Sequence, residues 1–127
     1  MTAMILDAGA LLAINSDDRA MIAKMKVAQQ SGMELRTTGI IVAQVWRDSN
    51  GRQVNLARIL NAIDVWPVDL RLGRLGGVLL GKACLSDPAD ATVVAIAETG
   101  DRIVTSDPID VGTLVAVSGR TVIVVPC

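Results

Sequence analysis

Histidine, tyrosine and phenylalanine are absent from this 127-residue chain, and tryptophan occurs twice, as Trp46 and Trp66. Without histidine there is no Ser-His-Asp triad, no Cys-His pair and no zinc site of the usual kind. With so little aromatic surface there is no stacking platform of the sort that single-stranded RNA modules use to hold bases. The two cysteines, Cys84 and Cys127, stand far apart and show neither metal-ligand spacing nor a disulfide framework, so the cytosol is the expected compartment. The net charge is −1, from 13 acidic and 12 basic residues, with no polybasic run. A nucleic-acid role must therefore rest on a local site rather than on a broad cationic face. No apolar run approaches the roughly 18–20 residues of a membrane span. The opening Met1-Thr2-Ala3-Met4-Ile5-Leu6-Asp7 lacks the basic start and longer apolar stretch of a signal peptide.

What is present is a chain that is 51% apolar, enough for one core built from Val, Ile, Leu, Ala and Met. The length suits a single domain, 1–127. Short apolar runs alternate with longer segments of helical period. Ala3–Leu6, Met33–Arg36, Val65–Val68, Arg102–Thr105 and Thr121–Val125 read as strands. Between them, Ala8–Ile14, Asp18–Gln30, Gly39–Trp46, Gln53–Ala62, Leu70–Ala83, a segment opened by Ser86-Asp87-Pro88 and running to about Glu98, and Ile109–Val117 read as helices. Ser16 or Asp17 is expected to cap the second helix, with Ala20, Ile22, Ala23 and Val27 on its inner side, and Thr38 the third. The helix over 70–83 is weakened by its internal glycines. Strands alternating with helices predict an α/β fold with a mostly parallel sheet of about five strands, covered by helices on both faces.

Ligands of such sheets bind beyond the carboxyl ends of the strands. Asp7 follows the first strand and Asp107 follows the strand over 102–105, while Asp90 lies at the start of the helix before that strand. If the two strands are neighbours, all three carboxylates face one crevice. Each also has an ordinary explanation, as a helix cap for Asp7 and Asp107 and as a complement to the helix dipole for Asp90. Gathered together, however, three anions repel one another unless a proton or cation lies between them. Three oxygen-donor side chains suit Mg²⁺ or Mn²⁺.

The pattern resembles the PIN-domain family along essentially the whole chain. Ile5-Leu6-Asp7-Ala8-Gly9-Ala10-Leu11-Leu12-Ala13 looks like the family's first motif, Asp90-Ala91-Thr92-Val93-Val94-Ala95 like the motif of its third acid, and Thr105-Ser106-Asp107 like that of its fourth. The resemblance implies a PIN-like three-layer α/β/α sandwich and a VapC-type toxin of a VapBC toxin–antitoxin pair. It implies an endoribonuclease in which Asp7, Asp90 and Asp107 hold Mg²⁺ or Mn²⁺ and act as the catalytic acids, leaving a 3′-hydroxyl and a 5′-phosphate. It also implies a homodimer, and a VapB-type antitoxin that blocks the acidic crevice, often with an arginine. Asp110 is similar to a position that approaches the metal in some members.

The sequence departs from the family at its second acid, where Gln44 stands in place of the usual glutamate. A glutamine oxygen can still coordinate a hard ion but adds no charge. Asp48, four residues on, falls on about the same helical face and is either a substitute acid or a solvated residue. Arg47 is either a contact for an RNA phosphate or a partner for a surface carboxylate. Asp87, beside Pro88, is a natural cap, or else assists the metal. Two other readings compete: a non-catalytic PIN-like module binding RNA or protein through a degraded metal site, and a phosphoacceptor or small-molecule-binding α/β domain. No lysine follows the last strands to support phosphoacceptor chemistry.

Overall fold

A computed structural model describes residues 2–47 and 50–127. The strands are β1 (Ala3–Leu6), β2 (Glu34–Thr38), β3 (Asp64–Trp66), β4 (Arg102–Thr105) and β5 (Ile123–Pro126). The helices are α1 (Ala8–Asn15), α2 (Arg19–Gln30), α3 (Gly39–Val45), α4 (Val54–Leu60), α5 (Leu70–Ala83), α6 (Pro88–Ala95) and α7 (Pro108–Ser118). No helix among the described residues is long and apolar enough to cross a membrane.

All five strands are parallel, in the order β3-β2-β1-β4-β5. The central strand β1 is entirely buried, with Ile5 and Leu6 inaccessible to solvent. That explains its unbroken apolar run, since a strand covered on both faces has no polar side to alternate with. Helices α5, α6 and α7 pack against one another on one side of the sheet, and α1 packs against α2 and α4 on the other. The expected three-layer α/β/α sandwich is the observed one.

Local chemistry moves several element ends. Asp18, not Ser16 or Asp17, caps α2, its Oδ1 accepting from the Met21 amide at 3.0 Å. Asp17 lies in the left-handed region, with φ 62°. The buried positions of α2 are Met21 and Ala28, while Val27 is 61% exposed. Thr38 occupies the N-cap position of α3 without capping it. Its hydroxyl is 3.0 Å from that of Thr92 in the buried contact between β2 and α6. α6 ends at Ala95 rather than near Glu98. Arg120 donates to the carbonyls of Ala95 and Ala97 there, supplying partners for orphan carbonyls at the helix end. β5 runs to Pro126, and an edge strand tolerates a proline because one side of its backbone has no partner.

The glycines of α5 do not break it. Gly76 is buried, and a Cβ there would lie 3.5 Å from that of Ala91, so two small residues let α5 and α6 pack closely.

Candidate metal centre

The chain leaves β1, builds β2 and β3 on one side, and returns to β4 on the other. This is the reversal that opens a crevice at the carboxyl end of a parallel sheet. The register pairs Leu6 with Val104, and the Asp7 amide donates to the Val104 carbonyl at 3.2 Å. Asp7 thus follows β1 opposite the end of β4, and Asp107 comes two residues after that end on the adjacent strand.

Asp7 is buried and serves as the cap of α1. Its Oδ1 accepts from the Ala10 amide at 3.0 Å, and its Oδ2 accepts from the Ser106 amide at 3.2 Å. The capping explanation is therefore correct for Asp7, but it is incomplete, because the second oxygen ties α1 to the loop after β4. Asp107 differs. It stands at the N-cap of α7 and makes no side-chain cap bond. The hydroxyl of Thr105 instead accepts from the Asp107 amide at 2.9 Å. The carboxylate of Asp107 is left free to face Asp90 and Asp110.

Oxygens of Asp90, Asp107 and Asp110 all lie within 4.8 Å of one another. Asp90 lies in the first turn of α6 and is 8% exposed. Burial pushes its pKa up to about 7, with the charges of Asp87, Asp107 and Asp7 adding to the effect. Asp110 also has a raised pKa, chiefly because Asp107 is beside it. Asp87 caps α6 through the Ala89 amide at 2.9 Å. With Asp90, Asp110, Cys84, Leu85, Ser86 and Leu114 it lines a small pocket of about 160 Å³.

Among the described residues, no lysine or arginine forms an ion pair with these carboxylates. The ion pair that is present joins Arg36 to Glu34. Four acids at one sheet end without a cationic partner are costly as pure structure. Their donor atoms are all oxygens, which fit a hard divalent cation.

The tight cluster differs from the expected triad. Asp110 joins Asp90 and Asp107 within it, while Asp7 lies beside it, near enough for its charge to act on Asp90. Asp110 was readable as one turn beyond Asp107, but only the geometry of α7 ranks it with the others. Gln44 is exposed on α3, a helix that contacts α6. Arg47 is exposed and its Nη1 donates to the carbonyls of Ala43 and Trp46 at 3.0 and 2.7 Å. These bonds hold its guanidinium on the end of α3. Asp48 lies outside the described residues.

No protein-family model and no curated protein matches the sequence. Solved structures contain chains of similar fold, among them the following three. One is VapBC2 from Rickettsia felis bound to a DNA fragment from their promoter, with a TM-score of 0.71, 12% identity and 99% of each chain covered. Another is DNA-bound VapBC from Salmonella typhimurium, with a TM-score of 0.70, 14% identity and 98% of each chain covered. A third is FitAB bound to an IR36 DNA fragment, with a TM-score of 0.63, 13% identity, and 95% of this chain and 94% of that one covered. At such identities the likeness establishes a shared fold over nearly the whole chain.

Proposed function

We propose that this chain is a metal-dependent endoribonuclease, the toxin component of a type II toxin–antitoxin pair of the VapBC kind. The observation that carries this reading is the convergence of Asp90, Asp107 and Asp110, beside Asp7, at one end of the sheet with no cationic side chain among the described residues paired to them. The shared fold with chains of VapBC and FitAB assemblies supports the toxin reading.

In this reading Asp7, Asp90 and Asp107 hold Mg²⁺ or Mn²⁺, with Asp110 as a further ligand and Gln44 assisting. Bound there, the ion supplies an activated water and neutralises charge on the RNA phosphate. Asp90 binds it as the carboxylate, giving up the proton that burial and its neighbours favour in the metal-free protein. Asp7 is held in place by two backbone amides, so its oxygens need no reorganisation. Asp87 supports α6 from its cap and adds negative charge near the site. Arg47 lends a remaining guanidinium N–H to an RNA phosphate.

The partner is a VapB-type antitoxin with a basic segment, because a cationic side chain in the crevice relieves the same repulsion as a metal ion. The chain acts as a homodimer in the cytoplasm.

Gln44 favours one competing reading, a PIN-like module that binds RNA or protein without cutting it, because the site lacks one carboxylate of the family pattern. Incubating purified, antitoxin-free protein with structured RNAs and Mn²⁺ separates the two. The nuclease reading expects cleavage that disappears in Asp7→Asn. Folded protein that cuts nothing at any metal concentration supports the binding module, and cleavage that survives Asp7→Asn exposes a contaminant.

A further inference from the structure

We infer that Gly9 is a positioning residue: its missing side chain lets Ser106 pack against the first turn of α1, and this contact fixes the spacing between Asp7 and Asp107. The inference rests on the metal-site reading given above.

A Cβ built on Gly9 would lie 2.2 Å from Oγ and 2.5 Å from Cβ of Ser106. Rotating the hydroxyl can clear the first contact. It cannot clear the second, because the Ser106 Cβ is fixed to the backbone. A side chain at position 9 must therefore push the loop after β4 away from α1. Gly9 sits in the first turn of α1, so the requirement is for space and not for an unusual backbone angle.

That loop carries the site. Ser106 donates its amide to Asp7 Oδ2 at 3.2 Å, and the next residue is Asp107, whose own amide is held at 2.9 Å by the Thr105 hydroxyl. Residues 7 to 9 and 105 to 107 thus meet through one hydrogen bond and one close steric contact. Displacing Ser106 stretches its bond to Asp7 and carries the Asp107 carboxylate with it. An oxygen of Asp107 lies within 4.8 Å of oxygens of both Asp90 and Asp110, so its displacement disperses the cluster.

The contact predicts its own rescue. Ser106→Gly deletes both atoms that a Cβ at position 9 would strike. The Ser106 backbone nitrogen remains, at 3.4 Å. Gly9→Ala, Ser106→Gly and the double variant are each titrated with Mn²⁺ by calorimetry, and the melting temperature of each metal-free protein is recorded. The expected result is that Gly9→Ala weakens Mn²⁺ binding about tenfold or more, the scale of lost supporting contacts around a metal. The double variant regains most of the wild-type affinity. If Gly9→Ala alone fails to fold, a folded double variant that binds Mn²⁺ gives the same support. The inference is overturned if folded Gly9→Ala binds Mn²⁺ like the wild type, or if Ser106→Gly restores nothing. Wild-type protein that binds no Mn²⁺ refutes the metal-site reading and this inference with it. Wild-type binding left unaltered in Gly9→Ala refutes the inference alone.

Discussion

The carboxylate of Asp107 lies within hydrogen-bonding reach of Asp90, although one residue opens α7 and the other sits in the first turn of α6. Two carboxyl groups can share a hydrogen bond only when one carries a proton. In the metal-free protein, burial and the neighbouring carboxylates therefore favour a proton on Asp90 where, in the proposed enzyme, a cation belongs.

Metal binding should follow from that competition. With a pKa of about 7, Asp90 is mostly protonated at pH 6 and mostly ionised at pH 8. Because a ligating carboxylate must lose its proton, Mn²⁺ affinity is expected to rise about tenfold between those pH values. Calorimetric titration across the range checks this, and an affinity independent of pH would exclude Asp90 from the ligand set.

The same group sets a stability signature. The pKa of Asp90 in the folded protein lies above the ordinary carboxylate value of 3.8. Its contribution to stability is therefore complete below that ordinary value and lost as pH rises through about 7. Asp90→Asn removes the charge and keeps the shape. In chelator, the variant is expected to melt higher than the wild type at pH 8, by roughly 3–5 °C, the scale of 1 kcal/mol for a chain of this size. Below about pH 3.8, where Asp90 is protonated in both the folded and the unfolded chain, the two should converge. A variant less stable than the wild type at pH 8 would mean that the Asp90 carboxylate is structurally required.

Much of this was legible in the sequence, and the reasons are local. The run Ala3–Leu6 reads as a buried strand because both of its faces are covered. Asp7, Asp90 and Asp107 stand out because each follows a strand or opens a helix. Pro88 and Pro108 mark their helix starts because proline suits the first turn. What stayed hidden depends on contacts distant in sequence. Nothing local says that the Thr38 hydroxyl turns to Thr92 instead of capping α3, that Arg120 donates to the carbonyls at the end of α6, or that Asp110 joins Asp90 and Asp107 in one tight cluster. The demand for glycine at position 9 comes from Ser106, near the far end of the chain.

Gln44 offers a test of the departure from the family pattern. It is exposed on α3, which contacts the helix that carries Asp90. Gln44→Glu adds a hard, charged oxygen donor and is expected to tighten Mn²⁺ binding, by roughly tenfold for a gain of about 1.4 kcal/mol. Unchanged or weaker affinity by calorimetry would put Gln44 outside the metal's reach.

The cation itself can be located. Crystals soaked in Mn²⁺ and measured for anomalous scattering are expected to show a peak among the carboxylates of Asp90, Asp107 and Asp110, within reach of Asp7, and to lose it in Asp107→Asn. Well-ordered crystals with no anomalous peak at that end of the sheet, at Mn²⁺ concentrations that saturate other acidic sites, would contradict the account.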